Sequence, residues 1–189
     1  MSATAGPGGI AVAVLGAGLG SRFGGDKLAA PLRGRPLAHH LLAALDGFDW
    51  PQKLLVCRGT PGWADAYARA GFTLVRLEDA RRGMLGSLHA AAARAGGDGR
   101  ILVCLADMPL VKPAHLRRLL DLARDWPGAI ASRAPGYRGP PSILPLPALR
   151  ALPPEGEGGG RALLGDARFV DGPAAMFADV DRPEDLAGL

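Results

Sequence analysis

The stretch that decides the fold runs Ile10-Ala-Val-Ala-Val-Leu-Gly-Ala-Gly-Leu-Gly-Ser-Arg-Phe-Gly-Gly-Asp-Lys27. Its first six residues are an unbroken apolar run, the pattern of a strand buried on both faces in a parallel sheet. Glycines at 16, 18 and 20 then let the backbone approach a ligand closely and turn successive N–H groups toward an anion. Two nucleotide motifs fail here. A dinucleotide fingerprint lacks its third glycine, because position 21 is Ser and position 23 is Phe, and Cys57-Arg58 stands where an acid is needed. A P-loop needs Gly-Lys-Ser/Thr, whereas Gly25 is followed by Asp26 and Lys27. A third reading survives, in which glycines, the planar fork of Arg22 and the point charge of Lys27 grip a triphosphate. The alternative is a glycine-rich strand-to-helix connection with two solvated cations.

Outward from this stretch, strands and helices alternate. Residues 54–57, 72–77 and 101–106 read as further strands, the last the most apolar and central. Helices are expected from Pro36 onward (Leu37, Leu41 and Leu45 on one face), over 63–70, from Ser87 as N-cap to Arg94, and over 113–125. Past Trp126, residues 128–131 and 142–146 are candidate strands, the second confined by Pro140, Pro141, Pro145 and Pro147 to an edge or loop. Residues 155–160 read as a flexible turn, 176–180 as a last strand, and Asp181-Arg-Pro-Glu184 as a helix start. The order predicts a single-domain α/β fold, a Rossmann-like three-layer sandwich on a mostly parallel sheet. Ligands are expected at the carboxyl ends of its strands.

Composition agrees with one domain. The chain has 189 residues, 48% hydrophobic and 21% charged, and Gly (28) with Pro (17) makes up nearly a quarter, consistent with many tight loops. No apolar run approaches the roughly 18 residues of a membrane span. The first nine residues carry no cationic n-region, so the chain is expected as cytoplasmic, and their Gly and Pro predict a disordered tail before a domain over 10–189. Cys57 and Cys104 sit in short apolar runs and read as buried thiols of a reducing compartment. A net charge of +4 suits a phosphate-rich ligand, but scattered arginines and 5% aromatics do not suit nucleic acid. His39, His40, His89 and His115 form no ligand pattern, and Met84 and Trp126 read as packing.

Two acidic positions remain. Asp107, in Leu105-Ala-Asp-Met-Pro109, stands where α/β sheets bind ligands and could hold Mg²⁺, or could cap a turn before Pro109. In Asp179-Val-Asp-Arg-Pro-Glu-Asp185, Asp181 with Glu184 has the spacing of a capping box, which does not exclude metal binding.

Together these sites resemble the molybdenum-cofactor nucleotidyltransferase family, most closely its cytidylyltransferase branch, within the nucleotide-diphospho-sugar-transferase-like α/β folds. The resemblance rests on Leu15-Gly-Ala-Gly18, Arg22, Phe23-Gly24 and Lys27, then Leu28, Pro31 and Gly34-Arg-Pro-Leu37. It continues through Gly83-Met84, Gly86-Ser-Leu88, Asp107-Met-Pro109, Gly156-Glu-Gly-Gly-Gly-Arg161 and Asp179-Val-Asp-Arg-Pro-Glu-Asp-Leu186. This chain departs from the family's pattern at Gly16 (Ala), Ala106 (Gly), Glu157 (Asp) and Pro140 (His).

The resemblance implies an Mg²⁺-dependent transfer of CMP from CTP to the phosphate of molybdenum cofactor, with release of pyrophosphate. It implies nucleotide contacts from Leu15, Gly16, Ala17, Gly18, Leu19, Gly20, Ser21, Arg22, Lys27 and Ser87, with Arg22, Lys27 and Asp107 catalytic. Metal would fall to Asp107 with Asp181 or Asp179, and the acceptor to Arg161. Ala17 points to cytidine, because the guanylyl branch has glycine there. A nucleotide half over about 10–110 and an acceptor-facing half over about 111–189 follow, as does a recipient molybdoenzyme as partner; nucleic acid and membrane are not expected. The rivals are guanylyl transfer, CMP transfer to another phosphorylated small molecule, and a non-catalytic carrier of the cofactor.

Overall fold

The central apolar run becomes strand β1, Ile10–Gly16, with all residues but the last buried. In the computed structural model, which describes residues 4–5, 9–18, 20, 22–77, 79 and 82–189, it lies between two parallel neighbours. These are β2 (Lys53–Cys57) and β4 (Arg100–Leu105), paired through Gly16 with Cys57 and through Leu15 with Leu105. Beyond β2 lies β3 (Thr73–Arg76). On the other side come β5 (Ile130–Ala134), β6 (Tyr137–Pro145) and β7 (Arg168–Asp171), giving the order β7-β5-β6-β4-β1-β2-β3. Only β6 runs antiparallel to its neighbours, β4 and β5. Of the expected N-terminal tail, residues 1–3 and 6–8 lie outside the described residues, while Thr4–Ala5 pairs in parallel with Phe48–Asp49.

Strand alternation sorts the core into two layers. Ile10, Val12 and Val14 pack with Leu55, Leu102 and Cys104 against helices α1 (Ala38–Leu45), α2 (Ala64–Arg69) and α4 (Pro113–Asp125). Ala11, Ala13 and Leu15 pack with Leu54, Val56 and Val103 against α3 (Gly83–Ala95) and α5 (Leu146–Arg150). Both cysteines are fully buried, and burial pushes each thiol up from its ordinary pKa. The four histidines point at Trp63 O, Leu32 O, Leu152 O and Ser132 Oγ respectively. No helix among the described residues is long and apolar enough to cross a membrane.

Five expectations need correction. Helix α1 starts two residues after Pro36, which instead pairs with Pro31 in a short antiparallel ladder. Helix α3 starts at Gly83, so Ser87 is an interior residue and not its cap. The proline-rich segment is an internal strand: a register shift between Gly139 and Ser142 sets Pro140 and Pro141 outside the regular ladder, and Pro145 ends the strand. The last strand is Arg168–Asp171, whereas Ala174–Phe177 forms a 3-10 turn. A last helix, α6, spans Pro183–Ala187. Its start is held by Asp185, not Glu184: Asp185 Oδ2 accepts from the backbone N–H of Asp181 and of Arg182, each at 2.8 Å. Asp181 is thereby free to point elsewhere.

The chain leaves β1 toward β2 on one side, and β4 flanks β1 on the other. The carboxyl ends of β1 and β4 therefore form the topological switch point of the sheet, where an open α/β fold has room for a ligand.

Candidate active site

At that switch point lies a cleft of about 410 Å³, walled by Leu15 to Gly18, Gly20, Arg22, Lys27 and Leu28 from the first loop. Gly83, Met84 and Ser87 of α3, Leu105 and Asp107 after β4, Glu157, and Asp181 before α6 complete the wall. A Cβ at Gly18 would meet nothing within 4 Å, so that backbone is open to a ligand. Gly20 has φ +59°, a left-handed conformation that suits glycine. Gly16 differs from the expectation of an open approach: a Cβ there would lie 2.9 Å from Trp63 Cη2 and 3.1 Å from Leu28 Cδ1. Its glycine serves close packing. Leu19 and Ser21 lie outside the described residues.

The chemistry gathers on Lys27. The carboxylate of Asp26 accepts from Leu28 N at 3.1 Å and caps the 3-10 turn Lys27–Ala29, which aims the Lys27 side chain across the cleft. Its ammonium donates to Asp107 Oδ2 at 2.7 Å, to Val180 O at 2.8 Å and to Asp181 Oδ1 at 3.3 Å. Asp181 Oδ2 accepts from Arg22 at 3.1 Å, an exposed pair with little energetic weight of its own. The Lys27–Asp107 pair is different, because only 13% and 18% of the two side chains is exposed.

Burial works against both charges of that pair. It would lower the pKa of Lys27, but the neighbouring carboxylates of Asp107 and Asp181 outweigh it and hold the ammonium above its usual range. Burial lifts Asp107 above the ordinary carboxylate value, further than Lys27 draws it back, and Asp179 adds to the rise. Asp107 Oδ1 is buried with no hydrogen-bond partner among the described residues. A buried oxygen of this kind needs a ligand of its own.

These donors fit a hard divalent cation. Asp107 and Asp181 offer carboxylate oxygens side by side, bound to one ammonium, and the unpaired Asp107 Oδ1 is the natural first ligand. No group of three or more His, Cys, Asp or Glu side chains able to hold a metal occurs among the described residues. An ion here would therefore complete its shell with water and substrate oxygens, as Mg²⁺ commonly does.

A second pocket, of about 160 Å³, adjoins the cleft and shares Met84, Leu105 and Glu157 with it. Asp179 and Arg161 line this second pocket, together with Tyr137, Arg138 and Pro140. Asp179 and Asp181 thus face different spaces, a separation their spacing in sequence did not disclose. Met84 walls both spaces, so it is more than packing. The loop that carries Arg161 is tied to α3: Leu85 N donates to Gly156 O at 3.0 Å, and Gly156 N donates to Arg82 O at 2.9 Å. Gly83, at φ +66°, permits the approach, because a Cβ would sit 2.6 Å from Gly156 O. Gly83 and Glu157 stood out in the sequence only as motif positions, and their place in the site depends on contacts between α3 and the 156–161 loop that no local pattern shows.

The bifunctional protein GlmU of Rhizorhabdus wittichii is 35% identical over 118 residues, which is 59% of this chain and 25% of that protein. The chain thus spans about a quarter of the length of that curated relative. Rv0371c of Mycobacterium tuberculosis superposes with a TM-score of 0.78 at 27% identity, over 100% of this chain and 98% of that one. A manganese complex of Rv0371c aligns with a TM-score of 0.75 at 26% identity, covering 96% and 97%. Molybdopterin-guanine dinucleotide biosynthesis protein A of Archaeoglobus fulgidus shares the fold, with a TM-score of 0.64 at 24% identity over 94% and 95% of the two chains. With residues 12–171 matching the MobA-like NTP transferase domain, the chain belongs to that nucleotidyltransferase family.

Proposed function

We infer that this protein transfers CMP from CTP to the phosphate of molybdenum cofactor, with Mg²⁺, releasing pyrophosphate. The observation that carries the reading is the convergence of Lys27, Asp107 and Asp181 under a glycine loop at the sheet's switch point. Phosphoryl-type transfer asks for positioned cations and an open backbone, with no protein nucleophile. In the reaction, an oxygen of the acceptor phosphate attacks the α-phosphorus in line. The new P–O bond forms as the bond to the β-phosphate oxygen breaks, and its electron pair leaves with pyrophosphate.

Each residue has a part in this. Gly18 and Gly20 let the phosphates approach the backbone, and Arg22 and Lys27 neutralise charge as it gathers on the leaving group. Asp107 and Asp181 would hold Mg²⁺, which when bound supplies further neutralisation of the phosphate oxygens. Ser87, buried on the α3 wall of the cleft, would meet the base. Ala17 sets a buried methyl in that wall, which supports the smaller pyrimidine. The adjoining pocket, with Arg161 and Arg138 as cations, supports an acceptor that carries a phosphate. On this reading residues up to about 110 serve the nucleotide and later ones the acceptor, with Asp181 reaching back into the cleft.

The test is pyrophosphate release with Mg²⁺, molybdenum cofactor and each of the four NTPs. Release with CTP alone is the expected result, and release with GTP alone assigns guanylyl transfer instead. Stabilisation by CTP with Mg²⁺, but no release with any NTP, rejects the acceptor. Neither binding nor release overturns the function.

A further inference from the structure

Trp63 lies in the loop between β2 and α2, more than thirty residues from Lys27 in sequence, yet its ring is buried against the nucleotide loop. Two observations tie it there. The first is polar: Trp63 Nε1 donates to Asp26 Oδ2 at 3.1 Å, while Asp26 Oδ1 accepts from Leu28 N. Asp26 is thus held from both sides, and Lys27 is the residue between Asp26 and the Leu28 that it caps. The second is steric. The tip of the indole occupies the space that a methyl at position 16 would need, and Leu28 Cδ1 and Ala106 Cβ close that space from the other sides. Trp63 therefore packs where the residue after Lys27 meets the residue before Asp107.

The strut is braced from behind. Trp63 stands edge-on to Tyr67 at 6.1 Å, Tyr67 edge-on to Phe72 at 5.1 Å, and the Tyr67 hydroxyl donates to Ala38 O at 2.7 Å. His39 Nε2 lies 2.9 Å from the Trp63 carbonyl oxygen. Helices α1 and α2 thereby fix the ring, and the ring fixes the loop. Lys27 has to satisfy three acceptors at once, so a displacement of its backbone by a fraction of an ångström is felt at Asp107.

We propose that Trp63 is a positioning residue for Lys27, and that Gly16 and Trp63 form a matched pair in which the indole replaces a side chain at position 16. The proposal rests on the nucleotidyltransferase reading for its kinetic consequence, but not for its geometry. It accounts for the departure of Gly16 from the alanine of the resembled family: here the alanine's space is taken.

Four proteins test it: wild type, Trp63→Phe, Gly16→Ala and the double variant. Phenylalanine keeps a ring against Tyr67 but has no N–H for Asp26 and does not reach position 16. Trp63→Phe is expected to lower kcat for pyrophosphate release by about 10- to 100-fold, while KM for the nucleotide changes less than about threefold, because displaced Lys27 is missed most in the transition state. Gly16→Ala alone is expected to lose activity, and the double variant to recover part of it as the new methyl fills the vacated space. Unchanged kcat in Trp63→Phe, or single effects that simply multiply in the double variant, overturns the proposal.

A second readout needs no turnover. The ¹⁵N–¹H signal of the Lys27 ammonium, identified by its loss in Lys27→Ala, is expected to be sharp in wild type and exchange-broadened in Trp63→Phe. If it is equally sharp in both, Trp63 does not position Lys27. If wild type shows no activity with any NTP but the signal responds as expected, the function fails and the positioning stands.

Discussion

Replacing Lys27 by methionine removes the cation from a buried pair while keeping most of the side chain's volume. It strands Asp107, whose Oδ2 loses its 2.7 Å partner and whose Oδ1 already has none. Breaking a buried pair from one side typically costs about 3–5 kcal/mol, and the 13% and 18% exposure of these side chains places the loss at the lower end, about 3 kcal/mol at pH 7.5. For a chain of this size that is a fall in Tm of roughly 6–12 °C. The sign with pH follows from Asp107. Its folded pKa is already raised by burial and rises further without Lys27. A raised carboxyl contributes stability below its unfolded value, about 3.9, that is lost as pH rises through the folded one. The deficit of Lys27→Met should therefore be largest at pH 7.5 and shrink toward pH 5. Adding Asp107→Asn removes the stranded charge and should recover most of the loss, although both variants stay inactive. Urea unfolding of the three proteins, wild type included, at pH 7.5 and pH 5 measures this. A Lys27→Met protein within about 0.5 kcal/mol of wild type, or a double variant no more stable than Lys27→Met, would refute the reasoning.

Three more outcomes are expected. His115 is buried beside Ser132, whose hydroxyl donates to Pro141 O, so the imidazole donates from Nε2 and leaves Nδ1 without a partner among the described residues. Burial lowers its pKa to about 4, so stability present above the unfolded value of about 6.5 is lost on acidification from there to about pH 4, by about 3 kcal/mol in all. A His115→Gln variant should lack that component, as urea unfolding across this pH range would show. Gly83→Ala combines a positive φ with a Cβ 2.6 Å from Gly156 O, and should lose about 1–3 kcal/mol in denaturant titration. Because it unseats the loop bearing Arg161, its KM for the acceptor should rise more than its KM for the nucleotide. Asp185→Ala deletes the two backbone contacts that hold Asp181 at the cleft, and should raise the Mg²⁺ concentration for half-maximal rate by about tenfold in a metal titration.

What could be read from the chain alone was what neighbouring residues decide together. The apolar run from Ile10, the glycines after it, and Asp107 at the end of the most hydrophobic strand are local patterns, and strand burial follows from them directly. The proline-rich segment was not legible, because lost donors argue against a central strand and only the pairing partners show the irregularity that accommodates Pro140 and Pro141. The cap falls one residue beyond the position its spacing suggests, since Glu184 and Asp185 are equivalent until the backbone turns.

Tertiary structure alone decided the site's connections. Lys27 meets Asp107 across 80 residues and Asp181 across 154, and no periodicity or spacing encodes a contact at that separation. It also divided Asp179 from Asp181, which line different pockets although only one residue separates them, a division that the regular alternation of an extended strand would not produce. At Gly16 the sequence by itself showed a glycine in a ligand loop, which suggests open backbone. The folded chain brings the Trp63 ring into that space, so the absence of a side chain there reflects what is packed against it.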